Sequence, residues 1–231
     1  MPKIPTRPKD DGSPKLFNNN EVEDSPKINQ SQLMNARIFS SREEYAKSLN
    51  DGIRFMELGV AWGYYAEFVA ENVKTQSIDL VDYFNIDLKC WSWRKFGECK
   101  CEPIKHTMDY SPKSHHSYII DKFSKYNNVS IHQGEATTIL KTMNKQFDYI
   151  YVDLTNDRFT TSTALNLCSN LVPVGGIIGL NDYLIYDGVI EDSLYGTFQT
   201  VNQFLHRNEN WSVDALALHN LGFYDIYLRK N

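Results

Sequence analysis

The residues best suited to chemistry lie where short apolar runs end in polar or glycine-containing turns. The run from Ile53 ends in residues 57–63 (ELGVAWG), with Gly59 and Gly63, and glycine at such a turn lets the backbone approach a ligand closely. The carboxylate of Glu57 suits a ligand with a cationic amino group. The G-x-x-x-G spacing departs from the G-x-G-x-x-G motif, which disfavours a nicotinamide or flavin pyrophosphate. A tight strand-to-helix turn without a ligand is the alternative.

Two more acidic residues follow the next apolar runs. Asp82 ends the run 77–81, at the position from which a carboxylate accepts the hydroxyl protons of a ribose. Asp79 competes for this role but falls inside the run. Glu135 follows Gly134 after the run 129–132. Either its side chain contacts the edge of an adenine, or the residue only begins the next helix.

Alternating strands and helices must position these turns. Apolar runs predict strands at 53–58, 77–81, 129–132, 147–152 and 176–180, with helices at about 63–73, 115–126, 136–143 and 159–171 between them. This alternation is typical of a parallel sheet. After one more helix, the runs 211–218 and 223–228 are separated by a turn short enough to predict an antiparallel pair. We expect an α/β, Rossmann-like fold: a seven-stranded, mostly parallel sheet with a C-terminal antiparallel hairpin and helices on both faces.

The 231 residues fit one domain with a polar N-terminal segment. Residues 1–30 are rich in Pro, Lys, Asp, Asn and Ser, which predicts a flexible tail. Residues 31–231 predict the α/β domain, in which an insertion at about 85–112 interrupts the alternation. The stretch 31–49 is predicted to be helical, and Ser40 and Ser41 followed by acidic residues resemble a helix start.

The composition excludes several classes of protein. Hydrophobic residues make up 42% of the chain and charged residues 23%, as in ordinary soluble globular proteins. The net charge of -5 gives no basic field for a nucleic-acid backbone, so nucleic acid is not the expected partner. No apolar stretch approaches the roughly eighteen residues that cross a bilayer. We expect a cytoplasmic protein without a membrane partner, and the sequence leaves self-association into a homo-oligomer open.

In order, these motifs resemble the class I S-adenosylmethionine (SAM)-dependent methyltransferases, in particular small O-methyltransferases that act on sugars and related metabolites. The resemblance covers about residues 50–229. Residues 147–153 (FDYIYVD) are similar to the family's fourth strand with its terminal Asp, and residues 171–183 (LVPVGGIIGLNDY) to its L-x-P-G-G turn, fifth strand and acidic end. The resemblance implies methyl transfer from SAM to a hydroxyl of a small molecule such as a sugar. It also implies a set of cofactor-binding residues: Glu57, Gly59, Gly63, Asp82 and Glu135.

In metal-dependent relatives, an Asp after the fourth strand and acid or amide residues after the fifth hold a divalent cation. The matching positions are Asp153, Asn181 and Asp182, whose oxygen atoms suit Mg²⁺. Asp153 would then be catalytic as well. The alternative is that Asp153 and Asp182 are plain helix caps. This sequence departs from the pattern at Asn181 and Thr155, where the sugar-methylating relatives have acids. Asp157 is the nearest alternative general base, unless it simply starts the next helix.

Two other functions remain open. The departures at Thr155 and Asn181 also fit a catalytically inactive nucleoside-binding protein with a structural or interaction role. A metal-free site also fits methyl transfer to nitrogen.

The predicted insertion has its own candidate residues. Its aromatic side chains suit a lid over the site: Trp91, Trp93 and Phe96. The alternative is an insertion that covers the sheet edge or makes an oligomer contact. Its cysteines and a histidine have a spacing that matches no common zinc motif: Cys90, Cys99, Cys101 and His106. Cys168 lies in an apolar helical pattern and is expected to be a buried free thiol.

Overall fold

The computed structural model describes residues 25–85, 114–155, 157–187, 193–219 and 222–231. Most of the predicted insertion, with its aromatic and cysteine residues, lies outside the described residues, as do residues 1–24 of the predicted tail. Residues 25–30 of that tail are described, and Ile28 packs against the hydrophobic core.

An eight-stranded sheet forms the centre of the molecule, in the order β1-β9-β10-β6-β5-β2-β3-β4. Neighbouring strands are parallel, except that β10 runs antiparallel to both β6 and β9. Two further short strands, β7 and β8, pair with each other. The strands are β1 (Arg37–Phe39), β2 (Ile53–Leu58), β3 (Thr75–Asp82), β4 (Val129–Gln133), β5 (Tyr149–Val152), β6 (Ile177–Leu180), β7 (Tyr186–Asp187), β8 (Ser193–Leu194), β9 (Trp211–Leu218) and β10 (Tyr224–Lys230).

Helices cover both faces of this sheet. They are α1 (Gln30–Leu33), α2 (Arg42–Lys47), α3 (Tyr64–Asn72), α4 (His115–Phe123), α5 (Ala136–Thr142), α6 (Arg158–Leu171) and α7 (Thr197–Arg207). Side chains of α5, α6 and α7 join one core cluster, and those of α2, α3 and α4 join the other. The second cluster includes Phe55, Tyr149, Tyr151 and Tyr227 from the strands, and we call that side of the sheet the tyrosine face.

The predicted fold class is confirmed, including the antiparallel C-terminal pair β9–β10. Ser41 caps α2 by accepting a hydrogen bond from the Glu44 N–H, as predicted (3.3 Å), and Cys168 is a fully buried free thiol.

The prediction of a helix over residues 31–49 was partly wrong, because β1 interrupts it and adds an eighth strand. β1 pairs in parallel with β9, and Arg37 forms an ion pair with Asp214 of that strand (2.7 Å). Pairing with a strand so distant in sequence outweighs the local helical pattern.

Among the helices of the described segments, none combines the length and the apolar character that crossing a bilayer requires.

Candidate functional site

The turn between β2 and α3 is shaped by contacts with its neighbours. Gly59 has a φ of +82°, its N–H donates to the Val81 carbonyl (2.9 Å), and an added Cβ would lie 1.8 Å from the Asp153 carbonyl oxygen. Gly63 has a φ of +69°, and a Cβ there would lie 2.7 Å from the Phe123 ring. Packing alone therefore requires both glycines, and their presence does not by itself indicate a ligand.

Asp82 ends β3 beside this turn and holds it in place. One carboxylate oxygen accepts the N–H of Ala61 (3.0 Å), and the other accepts the N–H of Phe84 (2.9 Å). Each carboxylate oxygen has a second lone pair. Asp82 can therefore fix the loop and still accept hydroxyl protons from a ribose.

Glu57 is the unusual member of the predicted cofactor site. It is the penultimate residue of β2 and only 2% exposed, and its Oε2 has no hydrogen-bond partner among the described residues. Burial, followed by the charge of Asp153, raises the pKa of the Glu57 carboxyl well above its usual range. A buried polar atom without a partner is costly, and a ligand cation would remove that cost.

Glu135 occupies the other position that the sequence left open. Its carboxylate accepts the backbone N–H groups of Thr137 and Thr138 and the Thr137 hydroxyl, and so caps α5. Hydrogen bonds from Thr138 first and then Thr137 outweigh a small desolvation effect and lower the pKa of Glu135 to about 2. This geometry favours the helix-cap interpretation, and an adenine contact remains a prediction.

Asp153 and Asn181 lie side by side at the carboxyl ends of β5 and β6. The amide Nδ2 of Asn181 donates to Asp153 Oδ1 (3.0 Å), and its Oδ1 lies 3.1 Å from the Tyr151 hydroxyl. Burial raises the pKa of Asp153 to about 6, although the Arg42 charge lowers it. Asp153 is therefore a carboxylate that can accept a proton near neutral pH.

Three further residues belong to this arrangement although no sequence motif marks them as site residues: Arg42, Tyr151 and Asp225. The Tyr151 hydroxyl donates to Asp225 Oδ2 (2.7 Å), and Arg42 Nη1 donates to the Tyr151 oxygen (3.1 Å). Asp225 is only 7% exposed, and burial raises the pKa of its carboxyl. A signal did exist for Arg42, because a cation in the first turn of a helix is opposed by the helix dipole and suggests a tertiary partner.

Two of the three predicted metal ligands, Asp153 and Asn181, are hydrogen-bonded to each other, and the metal site stays a prediction. The Asn181 amide donates a hydrogen bond to Asp153 through its nitrogen and accepts one from Tyr151 through its oxygen. The Arg42 cation lies close enough to lower the pKa of Asp153. Asp182 has a left-handed backbone (φ +54°), and its backbone N–H lowers the pKa of Asp225. Within the described segments, no group of three or more His, Cys, Asp or Glu side chains could hold a metal ion.

Asp157, the alternative general base, caps α6. It accepts the N–H of Thr160 (2.8 Å) and the hydroxyl of Thr155 (2.7 Å). Desolvation opposes these hydrogen bonds, but they outweigh it and lower the pKa of Asp157. A carboxylate with a lowered pKa is a weaker base, so Asp153 suits that role better.

A small open cleft, with room for about one water molecule, lies next to Asp153, where β5 and β6 end and where α6 and α7 begin. Threonine hydroxyls and the Asn181 amide give it a polar lining. The lining residues are Val152, Asp153, Leu154, Thr155, Thr161, Leu180, Asn181 and Thr197.

The strands β2 and β5 are neighbours in the sheet, but the helices that follow them, α3 and α6, pack on opposite faces. A topological switch point therefore lies between these two strands. Ligands of open α/β sheets bind outside the carboxyl ends of the strands at such a point. Glu57 and Asp153 lie there with the glycine turn, and Asp82 is close enough to raise the pKa of both. Glu135 and Asp157 lie at helix starts.

Solved structures with the same fold include an O-methyltransferase from Bacillus cereus in complex with S-adenosylhomocysteine (SAH). It is 15% identical, with 91% of this chain and 87% of that chain covered and a TM-score of 0.53. SMU.1697c from Streptococcus mutans, also in complex with SAH, is 13% identical, with coverages of 82% and 96% and a TM-score of 0.52. An rRNA methylase from Streptococcus thermophilus is 12% identical, with coverages of 82% and 93% and a TM-score of 0.53.

No family model matches the sequence, and the comparison with curated proteins gave no match. The structural likeness shows the fold: this chain has the class I methyltransferase fold.

Proposed function

We propose that this protein transfers a methyl group from SAM to a hydroxyl oxygen of a small molecule. The observation that carries the proposal is the buried Glu57 carboxylate, whose Oε2 has no partner among the described residues and which lies beside the glycine turn at the switch point. The amino group of SAM would supply the missing partner. Asp82 would accept the ribose hydroxyl protons. The SAH complexes of two proteins with this fold support the same cofactor.

The acceptor would bind outside the carboxyl ends of β5 and β6, with its hydroxyl at the small cleft beside Asp153. In the reaction, the bond between the methyl carbon and the sulfonium sulfur breaks as a bond to the acceptor oxygen forms, and SAH leaves as product. The hydroxyl proton passes to Asp153, whose pKa of about 6 leaves it mostly ionised at neutral pH. Holding the two reactants close and aligned supplies much of the rate enhancement for such a transfer.

One observation favours a small acceptor over RNA, although one protein with this fold is an rRNA methylase. The net charge of -5 gives no overall basic field for a phosphate backbone. A sugar or another hydroxylated metabolite is the acceptor class that we propose.

The metal-assisted form of this reaction is not part of the proposal, because Asp153 and Asn181 pair with each other and Arg42 supplies a positive charge nearby. Turnover should therefore continue in the presence of EDTA. Loss of turnover with EDTA and its recovery with Mg²⁺ would reinstate the metal.

Calorimetric titration with SAM and SAH tests the cofactor part of the proposal. Replacing Asp82 with Ala should weaken the binding of both by about 10- to 100-fold, because charge-assisted hydrogen bonds to the ribose are lost. Asp51→Ala, at an exposed aspartate paired with Lys74, is the control and should change neither affinity. Unchanged affinity in Asp82→Ala would show the ribose assignment to be wrong.

An acceptor screen that measures SAH formation from SAM tests the catalytic part. SAM binding without turnover of any hydroxylated acceptor would favour the non-catalytic nucleoside-binding alternative, and turnover of amines alone would favour methyl transfer to nitrogen.

A further inference from the structure

Arg42 lies at the switch point although it comes from α2, ahead of the strand that carries the glycine turn. Its guanidinium lies over the Tyr65 ring, 5.0 Å from the centroid, and Nη1 donates to the Tyr151 hydroxyl. Tyr65 is near the start of α3, and Tyr151 is two residues before Asp153. The cation is therefore held between the helix after the glycine turn and the strand that ends at Asp153.

Arg42 and Glu57 belong to the same face of the sheet. Glu57 and Tyr151 are register partners on the neighbouring parallel strands β2 and β5. Side chains alternate along a strand, so Glu57 lies on the same side as Phe55, which is the tyrosine face. The charge of Arg42 lowers the pKa of Glu57, which places the two groups in one electrostatic environment.

Most of the hydrogen-bonding capacity of Arg42 has no partner in the described structure. The guanidinium has five N–H groups. Among the described residues, Nη1 donates to Tyr151 at 3.1 Å and Nε makes a long contact with Glu43 at 3.4 Å. Its side chain is 31% exposed and so reachable by a ligand.

Arg42 offsets the charge of nearby carboxylates, but this effect does not use the remaining N–H groups of its guanidinium. The charge of Arg42 lowers the pKa of both Asp153 and Asp225. In the described structure, however, the ion pair formed by Arg42 is the one with Glu43, and Asp225 is hydrogen-bonded by Tyr151 instead. The planar fork of N–H groups is thus left for a planar anion, and a carboxylate fits it in bidentate geometry.

We propose that Arg42 binds the carboxylate of the methionine moiety of SAM while Glu57 binds its amino group. The two side chains together recognise the amino-acid end of the cofactor by its two opposite charges. This inference rests on the proposed function, since it assigns a further residue of the same cofactor site.

Two ligands that differ only in the carboxylate test this inference: SAM and its decarboxylated analogue, S-adenosyl-3-methylthiopropylamine. Replacing Arg42 with Met should weaken SAM binding by about 10- to 100-fold, because a charge-assisted pair is lost. The same variant should bind the analogue as tightly as the wild type, or more tightly, because the analogue has no carboxylate to lose. Calorimetry gives both affinities.

Arg54→Met is the matched control. Arg54 lies near the start of β2, is 33% exposed and forms a bidentate ion pair with Asp148. Its replacement should change neither affinity. If Arg42→Met does not fold, Arg42→Lys keeps the charge but loses the fork, and should weaken SAM binding selectively by a smaller factor.

Each outcome decides the question. A loss confined to SAM supports the assignment. An equal loss for both ligands shows that Arg42 only shapes the pocket, and no loss for either shows that the carboxylate binds elsewhere. If the wild type binds neither ligand, the proposed function itself fails and this inference fails with it.

Discussion

Replacing Gly59 with Ala should destabilise the protein far more than the same replacement at Gly175, although the two residues have nearly the same φ angle. Their φ angles are +82° and +83°, so the strain of a left-handed alanine, about 1 kcal/mol, is common to both variants. A Cβ at Gly175 would meet no atom within 4 Å, whereas a Cβ at Gly59 would lie 1.8 Å from the Asp153 carbonyl oxygen. The difference in stability between the variants measures this contact alone.

The size of that difference follows from the hydrogen bonds beside Gly59. Real Cβ atoms essentially never approach another heavy atom within 3.0 Å, so the turn or the end of β5 must move. Such a movement strains the bonds from Gly59 N–H to Val81 (2.9 Å) and from Asp153 N–H to Leu58 (2.8 Å). At about 1 kcal/mol for each bond, we expect a loss of about 3 kcal/mol for Gly59→Ala and about 1 kcal/mol for Gly175→Ala.

Urea denaturation of both variants and the wild type, fitted with a common m-value, gives the two free energies. Equal losses would refute the reasoning, since they would mean that the turn is not packed against β5. A large loss at Gly175 would show instead that the left-handed strain is underestimated.

Three further predictions concern a helix cap, a buried hydroxyl and the pH dependence of binding. Glu135→Ala should cost about 1 kcal/mol at neutral pH in urea denaturation. Because the folded pKa is lowered from 4.5 to about 2, this contribution is present above the unfolded value and is lost as the pH falls towards 2. Tyr65→Phe should cost about 1–3 kcal/mol in the same assay, because the buried Tyr149 hydroxyl loses its partner at 2.7 Å. SAM affinity relative to SAH should fall as the pH drops through about 6, because protonation of Asp153 removes a charge that attracts the sulfonium.

These predictions have clear contrary results. A penalty for Glu135→Ala that persists near pH 2 would show that the carboxylate does not act as a charged cap. A stability of Tyr65→Phe equal to that of the wild type would mean that the Tyr149 hydroxyl finds another partner. A pH-independent ratio of SAM to SAH affinity would place the sulfonium away from Asp153.

The alternation of apolar runs and helical patterns was enough to predict the sheet, because each strand–helix unit is encoded locally. The three-residue strand β1 was missed, since its pairing with β9 depends on residues such as Asp214, far along the chain. A sequence pattern that short cannot distinguish an edge strand from a helix terminus.

The candidate site was predicted in outline and differs in its details. Glu57, Asp82 and Asp153 come together at the switch point because parallel strands end at the same edge. Glu135 lies in a helix cap, which the sequence had left as an alternative. Arg42 was missed because its relation to Tyr151 joins elements that are distant in sequence. Its unfavourable place in the first turn of α2 was the available local signal.

The glycine turn gave the first indication of a cofactor site, but its glycines have packing reasons of their own. The stronger indication is the buried acid beside the turn, and the affinity of SAM for the Glu57→Gln variant tests it most directly. By calorimetry, the wild type should bind SAM, and Glu57→Gln should bind it about 10- to 100-fold more weakly, since the carboxylate that meets the amino group is gone. Glu71→Gln, the same change at an exposed residue of α3, should match the wild type. Undiminished affinity in Glu57→Gln, or no binding by the wild type, would contradict the account.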